Sequence, residues 1–356
     1  MKKTKLFAGL LLGMSIAGLT LTGCGGGKTE APPAAKVDKP AETPEAPASA
    51  DDFKLVLKLS HVFTQDEQLT KSMDLVAERI LDKTGGAIEI QTFPNGQLAT
   101  YKDGVEQVVR GADFISVEDP SYLGDYVPDF KALVGPMLYT SMDQYSEMIK
   151  TDLVQDMIDQ VEAKGIKVLA LNYMEGFRNL NTNKVIKTPE DLKGQKLRVP
   201  GSQLFIDTLN AMGAVSTPIP FSETMSGVQQ GVVDGLEGTE ASFVTNNLEE
   251  IIKNIAYTKH FLGTVGAYIS TDVWATIPAE YQDIIQAEFT AGAEEMIDII
   301  KASQEETVKD LEAKGVSFNE VDTEAFVKAT AKVYDTMEGI TPGIYEKLLE
   351  EIEKMK

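Results

Sequence analysis

The chain has 356 residues, a formal net charge of −22 and a single cysteine, Cys24. A disulfide within the chain and a four-cysteine metal site are therefore excluded, and so acidic a surface repels nucleic acid and gains nothing from counterion release. The two histidines, His61 and His260, lack metal-ligand spacing, and no G-x-S-x-G elbow, H-E-x-x-H helix or dinucleotide fingerprint occurs. No catalytic constellation, metal site or cofactor is expected.

In chain order, the first feature is a basic start, Met1-Lys2-Lys3-Thr4-Lys5, followed by an uncharged apolar stretch from Leu6 to Leu21. That pattern suits a signal peptide. It ends in Leu21-Thr22-Gly23-Cys24, which resembles the bacterial lipoprotein cleavage box. Residues 1–23 are thus expected to be removed and Cys24 to carry lipid, holding the protein on the outer side of the cell membrane. Loss of Lys2, Lys3 and Lys5 would take the charge to −25. Residues 24–52 follow as a tether: from 25 to 52 there are five prolines, seven alanines and one large aliphatic, Val37. Such a segment buries too little apolar surface to offset its ordering entropy, and as a flexible chain it spans roughly 30 Å.

From Phe53 onward, strand-like and helix-like segments alternate. Phe53, Leu55, Leu57 and Leu59 recur at period two, whereas Leu69, Met73, Val76, Ala77 and Ile80 keep helical spacing and stop at Gly85-Gly86. Strands are expected at Ala87–Phe93, Asp113–Val117, Ile166–Tyr173 and Lys196–Val199. Helices are expected at Val105–Val109, Met142–Ala163 and Ser202–Met212, with Thr188-Pro189-Glu190-Asp191 reading as a helix start. The alternation argues for mostly parallel sheets flanked by helices. Ala279 to about Lys314 contains no proline and one interior glycine, Gly292. A single helix there would run about 50 Å, long enough to span two domains, and a break near Gly292 is the alternative.

The arginines are the most informative polar residues, because the chain has 29 lysines and only four arginines. Arg79 and Arg110 fall on amphipathic helical patterns. Arg178 lies just past an expected strand and Arg198 inside or at the end of one. A guanidinium offers paired donors that match a carboxylate's two oxygens, and the ends of strands in α/β sheets are where ligands bind. An anion-binding role for Arg198 competes here with a structural ion pair to one of the 55 acidic residues.

Several ordered motifs resemble the tripartite ATP-independent periplasmic (TRAP) solute-binding proteins of the DctP-like family. They are Leu59-Ser60-His61-Val62, Phe93-Pro94-Asn95-Gly96-Gln97-Leu98, Gly176-Phe177-Arg178-Asn179, Leu197-Arg198-Val199-Pro200, Pro220-Phe221-Ser222-Glu223 and Asp234-Gly235-Leu236-Glu237-Gly238. The resemblance implies an α/β, two-domain periplasmic-binding-protein fold with a hinged cleft and a long helix spanning both domains. It places 53–174 plus about 264–303 in domain I and 175–263 plus about 304–356 in domain II.

The resemblance also implies the site. Arg198 would pair with a ligand carboxylate, Arg178 would add a polar contact, Phe221 would pack on the ligand, and Glu118 would read its remainder. Glu237 and His260 would stand behind Arg198. Gly238 occupies the place of an amide-bearing residue in relatives, so the pocket is expected either to be roomier or to use backbone or water where relatives use an amide. His61 and Tyr173 fall at cleft positions, with a purely structural role as the alternative for each. The implied protein is a monomer that captures a small carboxylate and passes it to TRAP membrane subunits. An ABC-type binding lipoprotein and a ligand-presenting sensor partner are the competing assignments.

Overall fold

The structure is a computed structural model that describes residues 53–355; the expected signal segment, Cys24 and the tether lie outside them. The chain opens with β1 (Leu55–Ser60), α1 (Gln68–Lys83), β2 (Ile88–Phe93), α2 (Tyr101–Val109) and β3 (Phe114–Glu118). Period two in β1 buries Leu57 and Leu59 completely, and the apolar stripe of α1 buries Leu69, Met73, Val76 and Ile80 against the sheet.

Three helices follow: α3 (Asp129–Leu133), α4 (Met142–Met148) and α5 (Asp152–Glu162). The single helix expected over Met142–Ala163 is thus two. The Thr151 hydroxyl donates to Met148 O and helps close the first, and Thr151 then precedes the second in extended conformation. Side-chain hydrogen bonding of this kind competes with the helical ladder.

Next comes β4 (Ile166–Thr182), a 17-residue strand that extends well past the expected end at Tyr173. The second lobe is built from β5 (Lys196–Val199), α6 (Gln203–Ala211), β6 (Val215–Pro218), α7 (Thr224–Gln229), β7 (Gly235–Gly238) and α8 (Glu240–Thr245). The expected helix start at Thr188 is a capping box on a short 3-10 turn, with Asp191 Oδ2 accepting from the Thr188 backbone N at 3.0 Å. A second 17-residue strand, β8 (Asn254–Ser270), returns the chain to the first lobe. After it come α9 (Thr271–Thr276), α10 (Ala279–Ala313), β9 (Ser317–Asn319), α11 (Thr323–Thr336) and α12 (Ile344–Lys354).

One sheet carries the whole arrangement, in the order β2-β1-β3-β8-β4-β7-β5-β6, with β9 on β8. The outer pairings are parallel, as the alternation implies. The central ones are antiparallel, β3 to β8, β8 to β4 and β4 to β7. The sheet is therefore mixed, because two crossing strands, each shared by both lobes, run in opposite directions. Their pairing shifts register between Met174 and Gly176, where Gly176 meets Gly263. Gly176 has φ +99°, and a Cβ on Gly263 would sit 3.0 Å from Gly176 O. The crossing thus needs glycine on both strands.

The helix α10 is continuous over 35 residues. Gly292 does not break it; a Cβ there would meet Val76 Cγ2 at 2.4 Å, so the glycine lets α10 lie close to α1. Phe289, Ala293 and Met296 pack into the larger core, and Leu311 enters a smaller one with Leu236, Phe243, Leu248, Ile252 and Ile255 of the second lobe. One helix therefore spans both lobes, as its length suggests.

Residues 304–356 do not remain with the second lobe as a block. The helix α11 packs on α6, but α12 returns to α3 and α4 of the first lobe. Tyr334 Oη donates to Pro136 O at 2.8 Å and Thr341 N to Asp129 Oδ1 at 2.6 Å.

Candidate functional site

A cavity lies between the lobes beside the crossing strands. Its walls include Arg198, Arg178, Phe221, Glu118, Gly238 and Glu237, together with Tyr101, Asp119, Tyr122, Glu175 and Asn181. Five of the seven residues expected to touch a ligand line it. Two do not. His61 is fully buried next to Phe63, with both ring nitrogens unpartnered, and burial lowers its pKa to about 4, leaving it neutral. Tyr173 points away, donating to Phe289 O at 2.8 Å on α10. Both take the structural alternative. Val62 and Phe63, which follow His61 in the chain, line the cavity instead.

Arg198 projects from the buried strand β5 and is 2% exposed. Its Nε donates to Ile219 O at 3.0 Å and its Nη2 to Tyr101 Oη at 3.2 Å, and its Cζ stands 5.1 Å from the centre of the Phe221 ring. Among the described residues it has no ion-pair partner. The other three arginines each have a carboxylate within 4.0 Å. Burial pulls the Arg198 pKa down, but a guanidinium stays charged.

Arg178 differs from the expectation. It lies inside β4, not past a strand end. Its Nε and Nη2 grip Glu237 at 2.5 and 2.7 Å in a two-pronged pair, while its Nη1 stands 3.9 Å from Glu175. Glu237 is fully buried. Burial pushes its pKa up, but the Arg178 guanidinium outweighs this and brings it down to about 2. His260 Nε2 lies 3.7 Å from the same carboxylate, and its Nδ1 shares a 2.8 Å hydrogen bond with Thr258. Glu237 and His260 therefore stand directly behind Arg178, and Glu237 acts on Arg198, the expected partner, only by its charge from farther off. The strand register decides this: β4 places Leu180 opposite Glu237 on the neighbouring strand β7, so Arg178, two residues earlier on β4, lies within reach of it.

The remaining acids belong to the cavity rather than to solvent. Glu118 accepts from Tyr101 N at 2.5 Å, yet burial, reinforced by Asp119, raises its pKa to about 8. Burial likewise raises Glu175 to about 8 and Asp119 to about 6. At neutral pH Glu118 and Glu175 mostly keep their protons and act as donors. With Arg178 held by Glu237, and with Asp119 mostly ionised at neutral pH, Arg198 is the arginine of the cavity that has no carboxylate within ion-pair distance among the described residues.

Tyr101, Asp119, Tyr122, Glu175 and Asn181 escaped the sequence reading. Only Glu175 carried a usable signal, three residues before Arg178. At Gly238 a Cβ would meet nothing closer than Asn181 Nδ2 at 3.9 Å, so there is open space beside its backbone. Among the described residues no cluster of three or more His, Cys, Asp or Glu side chains is placed to hold a metal ion.

Two lobes joined by crossing strands, with a cavity between them that a buried arginine lines, define the architecture of a solute-binding protein. Residues 59–339 match the family of bacterial extracellular solute-binding proteins, family 7 (DctP), and the chain belongs to that family. It is accordingly an extracytoplasmic solute-binding protein.

Among relatives, it is 28% identical to a solute-binding protein of Roseobacter denitrificans, over 86% of this chain and 94% of that one. It is 25% identical to the C4-dicarboxylate-binding periplasmic protein DctP of Rhodobacter capsulatus, over 84% and 87%. Its fold matches the crystal structure of a TRAP periplasmic solute-binding protein from Desulfovibrio salexigens in complex with diglycerolphosphate, with TM-score 0.84 and 60% identity, over 85% of this chain and 98% of that one. A TRAP solute-binding protein from Fusobacterium nucleatum with bound sn-glycerol-3-phosphate matches with TM-score 0.84 and 45% identity, over 85% and 98%. One from Actinobacillus succinogenes with bound L-galactonate matches with TM-score 0.81 and 29% identity, over 84% and 99%.

Proposed function

We propose that the protein captures a small hydroxylated organic anion between its lobes and delivers it to TRAP membrane subunits. The observation that carries this reading is Arg198: buried, facing the cavity and, among the described residues, without a carboxylate partner. A charge held in that state calls for an anion to complete it. The sequence motifs imply a carboxylate. A phosphate ester of glycerol is the second reading, favoured by the ligands of the relatives at 60% and 45% identity. Both share the chemistry that the cavity offers, a guanidinium for the anionic head and protonated Glu118 and Glu175 as further donors. Arg178 keeps its Nη1 for a secondary contact, and Phe221 covers one face of the ligand.

We also propose that Cys24 is lipidated and anchors the protein to the membrane, on the strength of the Leu21-Thr22-Gly23-Cys24 box. The folded part acts as a monomer.

Titration calorimetry with sn-glycerol 3-phosphate, diglycerol phosphate and L-galactonate tests the anion site. Removing one partner of a buried charge pair costs about 2–5 kcal/mol, so Arg198→Ala should weaken the best probe roughly 30-fold to several thousandfold. Arg198→Lys should recover part of the loss, since an ammonium keeps the charge and loses the fork. Binding of Arg198→Ala within a few-fold of wild type would sink the assignment.

A further inference from the structure

Three side chains of the first lobe reach across the cleft. Glu67 accepts from Ser242 Oγ at 2.5 Å, Ser121 Oγ lies 2.9 Å from Ser202 Oγ, and Tyr101 meets Arg198 and Phe221. Tyr101 is unlike the other two because its partner is the anion-binding arginine itself.

Its backbone is also unusual. Tyr101 opens α2 with φ +55°, a left-handed conformation that is uncommon for a bulky side chain. Such conformations persist where surrounding contacts enforce them, and they gather at functional sites. The enforcing contacts are present: its N–H donates to Glu118 Oε1 at 2.5 Å, and its ring packs on Tyr122 at 5.8 Å between centres. The result delivers the phenol to the second lobe.

The hydrogen bonds of that phenol decide its role. Tyr101 Oη accepts from Arg198 Nη2 at 3.2 Å and from Phe221 N at 3.3 Å. A phenolic oxygen has two acceptor sites and one proton to give. Both acceptor sites are occupied, so the proton must leave in the remaining direction, and among the described residues no protein acceptor takes it. Tyr101 lines both the inner cavity and the outer cleft.

We propose that Tyr101 is a ligand-contacting latch that donates its phenolic proton, from the first lobe, to the anionic group that Arg198 grips from the second. The inference rests on the proposed anion site at Arg198. It adds that the anion is held from both lobes, so that capture and closure are a single event. A neutral hydroxyl in the anion's place would gain less, because a hydrogen bond to a charged acceptor is the stronger one.

The experiment uses the intact protein with sn-glycerol 3-phosphate and L-galactonate as probes. Tyr101→Phe keeps the ring and removes the hydroxyl. It should weaken whichever probe the wild type binds by roughly 10- to 150-fold, the span for a hydrogen bond to a charged group. Affinity within twofold of wild type overturns the proposal. In the cycle with Arg198→Ala, the double variant should bind much more tightly than the product of the two single losses predicts, because both residues act on one anion. Strict additivity overturns the shared contact.

Amide exchange at Phe221 is independent of the choice of probe. Its N–H donates to Tyr101 Oη, so protection at that one amide should fall in Tyr101→Phe, and unchanged protection overturns the latch. If the wild type takes up neither probe, the glycerol-phosphate and sugar-acid assignments fall, and the exchange comparison still decides on Tyr101.

Discussion

Removing Arg178 should destabilise the protein through the carboxylate it leaves behind. Glu237 is fully buried, with the guanidinium on both its oxygens at 2.5 and 2.7 Å. Its pKa, pushed up by burial, is held at about 2 by Arg178 against an ordinary 4.5. At about 1.4 kcal/mol per unit this difference corresponds to roughly 3 kcal/mol of stability at neutral pH. That agrees with the roughly 3–5 kcal/mol cost of breaking a buried pair from one side. In the intact protein burial lowers the pKa of His260, so Arg178 is the counter-charge of Glu237.

Arg178→Met should therefore lose about 3 kcal/mol in equilibrium urea unfolding at pH 7, followed through the single tryptophan, Trp274. Arg178→Met with Glu237→Leu should recover much of the loss, since no unpaired charge remains. The sign of the pH dependence adds a second check. A depressed carboxyl pKa stabilises above about pH 4.5 and is lost as pH falls toward 2, so this acid limb should vanish in Arg178→Met. A single-variant loss below about 1 kcal/mol, or a double variant no more stable than the single, would refute the reasoning.

Glu118 and Glu175 should act in the opposite sense. Their pKa values of about 8 exceed the ordinary 4.5, so their contribution is complete below pH 4.5 and is lost as pH rises through 8. Each can tilt stability by at most about 1.4 kcal/mol per pH unit in that window. Unfolding of Glu118→Gln and Glu175→Gln at pH 5, 6, 7 and 8 should show a shallower decline than wild type; parallel curves would mean that neither group titrates there. For the anchor, mass spectrometry of the native N-terminus should find a diacylglyceryl group on Cys24, and Cys24→Ser should leave the precursor unprocessed or release it. An unmodified thiol on mature, membrane-retained protein would dismiss the anchor.

Local order was legible in the chain. Period-two apolar residues announced β1 and helical spacing announced α1, because each pattern reports only which face of one element is buried. The 35-residue α10 was legible for the same reason, together with the absence of proline. The arginine arithmetic set apart Arg178 and Arg198, and the structure gives the nearest carboxylate, Glu237, to Arg178 as its ion-pair partner. What the sequence could not carry was pairing at a distance. Glu237 stands 59 residues from Arg178 and Tyr101 stands 97 from Arg198; both meetings depend on the register of β4, β7 and β8 and on lobe against lobe. The same holds for His61 and Tyr173, which occupy cleft positions in the chain but are turned inward by the packing of β1 and α10. It holds too for Glu118 and Glu175, whose raised pKa values come from desolvation, a property of the surrounding volume and not of neighbours in sequence. Element type and the identity of the key arginine were thus set by the local chain, whereas its partners and the protonation of the cavity acids were decided only when the two lobes came together.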